Sequence, residues 1–195
     1  FGTVPTASRP AAFADLSVRT RNTEFPEGML EKYEPLYAYN KDIVGWLTLP
    51  NTSIDTAITK RGDNSHYLKI NFYGKNSYFG NPFMDYRNTI KTLSQNTVLY
   101  GHTTRTDGQA FYALTKYRDP EFFKANPVIR FDTLYKDYEW KVFAVFISST
   151  APKDDNGYYF YFIPPTIRDF DGYLDQVKQR SLYTTGVDVN ATDKI

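Results

Sequence analysis

Asn96-Thr97-Val98-Leu99-Tyr100-Gly101-His102-Thr103-Thr104 is the stretch around which the rest of the chain is organised. Val98, Leu99 and Tyr100 form a short apolar run that predicts a buried strand, and Gly101 releases the backbone just before a histidine. His102 therefore falls at a strand end, rigid behind and open in front. An imidazole there can work as acid or base near neutrality, and the competing reading is a structural histidine making ordinary hydrogen bonds. Alternation places Tyr100 on the same side of the strand as His102, since residues i and i+2 share a face.

Composition narrows the chemistry. With 195 residues, 41% of them hydrophobic, the chain is predicted to bury a single core, and its 17 tyrosines and 15 phenylalanines favour strands over a leucine-rich bundle. A net charge of +1 offers no electrostatic basis for a nucleic-acid partner. There is no cysteine, so these residues can form no disulfide, thiolate metal site or cysteine nucleophile. His66 and His102 are the two histidines, too few for a histidine-rich metal centre. Asp154-Asp155-Asn156-Gly157 reads as a turn; the remaining positions of a calcium loop are absent, so neither metal nor cofactor is expected. The longest strongly apolar run, Val142 to Ile147, is far short of the ~20 residues that span a bilayer.

Working outward, residues 1–25 hold Pro5 and Pro10 without a sustained period and read as a tail or linker. From Pro26 to about Asn40 the spacing of Leu30, Tyr33 and Tyr37 predicts a helix, restarted at Pro35. Val44 to Leu49, with Trp46 as a buried anchor, and Ile54 to Thr59 read as strands joined by a turn at Pro50-Asn51-Thr52. Gly80 to Asp85 is a further strand region, and Asp85 with Arg87 reads as an exposed ion pair worth ~0–1 kcal/mol and no catalytic role. A short helix is expected over Gln109 to Lys116, and a second begins at Asp119-Pro120-Glu121, with Asp as N-cap and Pro at the first position. Val128 to Leu134 and Tyr138 to Ser148 predict a long hairpin, the far half of its second strand buried on both faces, which suits a barrel. Phe170, Tyr173, Leu174 and Val177 have the i, i+3, i+4, i+7 spacing of a helix. Val187 to Ile195 heads into a strand.

Four motifs in order carry a resemblance. They are Asn40-x-Asp42-x-Val44-Gly45-Trp46-Leu47, Asp63-Asn64-x-x-Tyr67-Leu68, Gly80-x-x-Phe83-Met84-Asp85-x-Arg87-Asn88 and Asn96-Thr97-Val98-Leu99-Tyr100-Gly101-His102. Together they resemble the class B sortases, cysteine transpeptidases of the Gram-positive cell surface, from about Glu27 to Ile195. The resemblance implies a mainly β fold, a sortase-like closed β-barrel with an N-terminal helix and a helix in the connection before the last strands. Residues 26–195 would then be the catalytic domain lacking its C-terminal strands, because the family's Cys and Arg are expected just beyond Ile195.

The activity implied is cleavage of a C-terminal sorting signal after Thr, through a thioacyl intermediate released by a peptidoglycan-precursor or pilin amine. His102 would be the general acid and base. Asn64, Leu68, Tyr100, Thr150 and Tyr158 would contact the sorting-signal peptide; the plainer reading of Asn64 and Leu68 is capping and packing. Family members commonly carry Asn or His where Thr103 stands, and Met where Ala110 stands, which bears on substrate preference. The chain begins at Phe1, which predicts a removed N-terminal segment, and the family implies an anchor there that holds the enzyme on the extracellular face of the membrane. The fragment is expected to be inactive. A noncatalytic sortase-like module that binds extended peptides is the alternative, and an unrelated carbohydrate-binding barrel a more distant one.

Overall fold

The computed structural model describes residues 23–103, 111–149, 151, 153–154 and 162–195. Most of the stretch read as a tail, and Thr150, Asp155, Asn156, Gly157 and Tyr158, lie outside the described residues. Six strands form one sheet: β1 (Ile43–Thr48), β2 (Asp55–Thr59), β3 (Phe83–Met84), β4 (Leu99–Tyr100), β5 (Val128–Thr133) and β6 (Glu139–Lys141), in the order β4-β3-β2-β1-β5-β6. Only β2 and β3 run parallel; the other neighbours are antiparallel.

Alternation along the strands sends side chains to two cores. Leu47, Ile58, Met84 and Phe131, joined by Leu99 and Trp140, bring all six strands to one apolar cluster, so the sheet curls around it as a barrel-like half-cylinder. The edge strands β4 and β6 both line an apolar cavity of about 200 Å³ on that concave side. Ile43 and Ala57 point the other way and meet Tyr33 and Leu134 beneath the N-terminal helical segment. Trp46 also lies on that side; expected as a buried anchor, it is half-buried, and its indole N–H donates to Asp55.

The helix expected from Pro26 starts later. Gly28 takes φ +78 and the Met29 amide closes a turn on the Pro26 carbonyl, so the chain first turns, forms a 3-10 turn at Glu31–Tyr33, and only then enters α1 (Glu34–Tyr39), with Pro35 in its first turn. The helix expected at Gln109 to Lys116 is a 3-10 segment, Tyr112–Arg118, within the described residues. Helix α2 (Pro120–Ala125) begins as the sequence predicts: the Asp119 carboxylate accepts the Glu121 amide at 2.9 Å and Pro120 occupies the first position. Helix α3 (Phe170–Arg180) is capped by Asp169, which accepts the Gly172 amide at 3.0 Å, and buries Phe170, Tyr173, Leu174 and Val177.

The long hairpin is corrected. Its second strand pairs only through Lys141, and Val142 and Val145 then pack on the central core while Phe143, Ala144 and Phe146 pack with α3. The backbone is claimed there by the segment after α3: the Leu182 amide donates to the Val145 carbonyl at 2.8 Å and the Thr185 hydroxyl to the Phe143 carbonyl at 2.7 Å. Ile147, expected to be buried, is 61% exposed. Residues 187–195 form no strand, although Ile195 exchanges backbone hydrogen bonds with Gln95 and Thr97. Among the described residues no helix is long and apolar enough to cross a membrane.

Two substitutions test this description. Ile58→Ala, at a fully buried site common to the strands of the sheet, should cost about 2–5 kcal/mol in urea unfolding, whereas Asp119→Ala should cost about 1 kcal/mol by exposing one helix-end amide.

Candidate functional site

His102 follows β4 after one residue, Gly101, and close backbone packing fixes it there. A Cβ on Gly101 would lie 2.6 Å from the Phe111 ring, so the missing side chain lets Phe111 pack directly beneath the strand end. The Phe111 amide in turn donates to the His102 carbonyl at 2.9 Å. On the other side, His102 Nε2 lies 2.9 Å from the Leu68 carbonyl oxygen. A carbonyl only accepts, so Nε2 carries the proton and Nδ1 is left as the exchangeable nitrogen.

The Leu68 carbonyl is itself well placed. The 63–68 loop is held at its start by the exposed Asp63 carboxylate, which accepts the Ser65 hydroxyl and the amides of Ser65 and His66; these bonds lower the Asp63 pKa to about 2. At the far end Tyr67 is buried, its hydroxyl donating to Asp42 at 2.8 Å, and burial with that carboxylate pushes the phenol up to about 12. Gly80, at φ +58, packs its backbone against Tyr67 and Leu68 so closely that any Cβ would collide with them.

A second group organises the site. The Asp85 side chain is 1% exposed and accepts five hydrogen bonds: Arg87 Nε and Nη2 at 2.8 Å each, the Arg87 amide at 2.9 Å, Asn64 Nδ2 at 2.9 Å and the Tyr100 hydroxyl at 2.9 Å. Burial pushes this carboxyl up, but the bonds from Arg87, Asn64 and Tyr100 outweigh it and hold the carboxyl far below the usual carboxylate range. Arg87 Nη2 also donates to the Ile163 carbonyl at 3.0 Å, reaching the connection before α3. The sequence reading of Asp85 and Arg87 as an exposed pair is therefore corrected. A pair two residues apart in the sequence is a junction between β3, β4, the 63–68 loop and that connection.

The expected site residues sort as follows. Asn64 and Tyr100 meet through Asp85, and Leu68 and His102 meet through the bond from Nε2 to the Leu68 carbonyl. Asn64 spends one amide proton on Asp85 and its carbonyl on the Tyr86 amide, which leaves one N–H free of these partners. Leu68 is 38% exposed. The Tyr100 ring packs at a tilt against Phe83, with ring centroids 5.2 Å apart. Thr150 and Tyr158 lie outside the described residues. His66 sits on the loop surface, near Arg61, and does not reach His102 through any of these contacts. Among the described residues no group of His, Cys, Asp and Glu is arranged to hold a metal ion.

No protein-family model matches the chain. It is 39% identical over 168 residues to sortase B of Listeria monocytogenes, an alignment covering 85% of this chain and 65% of that protein. It is 33% identical over 169 residues to sortase B of Staphylococcus aureus, covering 87% and 67%. Among solved structures, a Staphylococcus aureus sortase B-substrate complex superposes with a TM-score of 0.76 at 31% identity, over 86% of this chain and 75% of that one. The chain thus spans about two thirds of the length of the curated relatives it matches. A barrel-like sheet shared at this similarity defines a sortase-type protein. Within that class, the chain belongs to the sortase B family.

Removing the charge at Asp85 gives a sharp test. Asp85→Asn should lower stability at neutral pH by about 3 kcal/mol, the low end for a broken buried pair because Arg87 is one-third exposed. A lowered native pKa stabilises the fold above the ordinary carboxylate range near ~4 and loses that stabilisation as pH falls. Urea unfolding from pH 5 down to pH 2 should therefore show a shallower acid decline for the variant than for the parent chain.

Proposed function

We propose that residues 26–195 are the larger part of a sortase catalytic domain, which cleaves a C-terminal sorting signal after Thr and passes the acyl group to a cell-wall or pilin amine. The observation that carries this reading is the setting of His102: an imidazole at an open strand end, Nε2 tied to the Leu68 carbonyl, Nδ1 available. The 195 residues contain no cysteine, so in this reading the thiolate comes from residues other than these.

The steps assigned to this chain are proton transfers and positioning. The thiolate adds to the threonine carbonyl and the C–N bond breaks, with Nδ1–H of the His102 imidazolium protonating the departing amine. Neutral Nδ1 then accepts a proton from the incoming amine as it attacks the thioester and the thiolate leaves. Nε2–H stays on the Leu68 carbonyl throughout, so the ring keeps one orientation in both half-reactions. Leu68, the remaining amide proton of Asn64, and Tyr100 are assigned to contact the sorting-signal peptide, with Thr150 and Tyr158 as further contacts implied by the resemblance. The solved Staphylococcus aureus sortase B-substrate complex supports substrate recognition by this fold. The enzyme would act on the extracellular face of the membrane, held by an N-terminal anchor.

The test is transpeptidation of sorting-signal peptides by the full-length gene product. His102→Ala should lower kcat/KM by about 10²–10⁴-fold with the circular dichroism spectrum intact. The 195-residue chain alone should bind such peptides without cleaving them. If the full-length protein binds peptide but never cleaves it, with or without His102, the noncatalytic peptide-binding module is the correct reading.

A further inference from the structure

A cleft on the described surface lies away from His102. It holds about 620 Å³, within the range of small-ligand sites, at the end of the sheet where β1 begins and β2 and β5 end. Thr59, Phe83 and Tyr100 are paired in a row across the sheet; Lys60 is one step past that row in one direction, and His102 two steps past it in the other. The cleft and the His102 site share no lining residue.

Its charge is one-sided. Lys41, Lys60 and Lys91 line it, and none of the three has a carboxylate partner among the described residues. The one acid in the lining, Asp42, is already occupied: it accepts the Tyr67 hydroxyl at 2.8 Å and lies 3.5 Å from Arg61 Nε. Three ammonium groups around an apolar floor of Ile43 and Leu134 attract an anion that can be met from several directions. No arginine lines the cleft, and the three ammonium groups act as compact point charges of the kind by which lysine holds a phosphate. Two aromatic rings complete it. Tyr37 comes from α1 and Tyr135 from the turn after β5; burial and the neighbouring Tyr37 phenol both raise the Tyr135 hydroxyl, and the Lys91 ammonium sits 5.9 Å from the Tyr135 ring centre. Rings so placed offer faces to the organic part of a ligand.

We propose that this cleft binds a phosphate ester, its phosphate held by Lys41, Lys60 and Lys91 and its organic part by Tyr37 and Tyr135. The phosphate arrives either on a soluble ester or on a lipid headgroup, and the two sources are separable. Soluble sn-glycerol 1-phosphate is titrated into the intact protein by calorimetry. In parallel, the protein is sedimented with vesicles of about one part phosphatidylglycerol to three parts phosphatidylcholine. Each is repeated with Lys60→Gln/Lys91→Gln, and with Lys153→Gln/Lys178→Gln, which removes the same charge from outside the cleft.

The expected result is binding of at least one probe that weakens about tenfold in the cleft variant and holds in the other. Binding of the soluble ester identifies a free phosphate ester as ligand, and binding of vesicles alone identifies a headgroup. Equal weakening in the two variants would reduce the effect to overall charge and overturn the proposal, as would failure of both probes to bind.

Discussion

A carboxylate taken almost wholly out of water must be surrounded by donors, and Asp85 is the place where this chain meets that requirement. Its five hydrogen bonds come from β4, from the loop between β2 and β3, and from Arg87. Because each donor is directional, satisfying Asp85 sets the position of Tyr100 and Asn64 at once, and Arg87 extends the constraint to Ile163. One buried charge thus ties Tyr100 and Asn64 together, beside the ring contact of Tyr100 with Phe83. The strands β3 and β4 are only two residues long, so their ladder bonds alone would hold this region weakly.

The histidine depends on a different kind of constraint, close backbone approach. Gly80 lets the chain press against Tyr67 and Leu68, and Gly101 lets Phe111 slide beneath β4. Both contacts act on the same hydrogen bond, one by placing the Leu68 carbonyl and the other by placing the imidazole that donates to it. Membership of the sortase B family gives this arrangement its chemical context, and the curled sheet supplies a rigid back for a site whose front is loop.

Much of this architecture was legible in the sequence because it rests on local rules. The cap at Asp119, the apolar spacing of α3 and the alternation of β1 and β2 all follow from residues a few positions apart, and each stands where periodicity and capping place it. The hairpin after Lys141 and the helix expected at Pro26 departed from expectation where the local signal was ambiguous. An apolar run such as Val142 to Phe146 fits a doubly buried strand as well as an irregular segment wedged between two cores, and only the competing hydrogen bonds from residues 181–185 decide between them.

The sequence by itself determined the kinds of residue available: a histidine after a strand, no cysteine, four motifs in family order, and a composition suited to a barrel-like sheet. It also singled out Asn64 and Tyr100, which the fold joins through Asp85, and Leu68 and His102, which it joins by a hydrogen bond. Only the tertiary structure decided that Asp85 is buried, that Nε2 of His102 is the occupied nitrogen, and that three lysines from separate elements surround one cleft. The physical reason is distance along the chain. Burial, tautomer and clustered charge depend on neighbours 15 to 76 residues away, and no local periodicity records which of those neighbours will arrive.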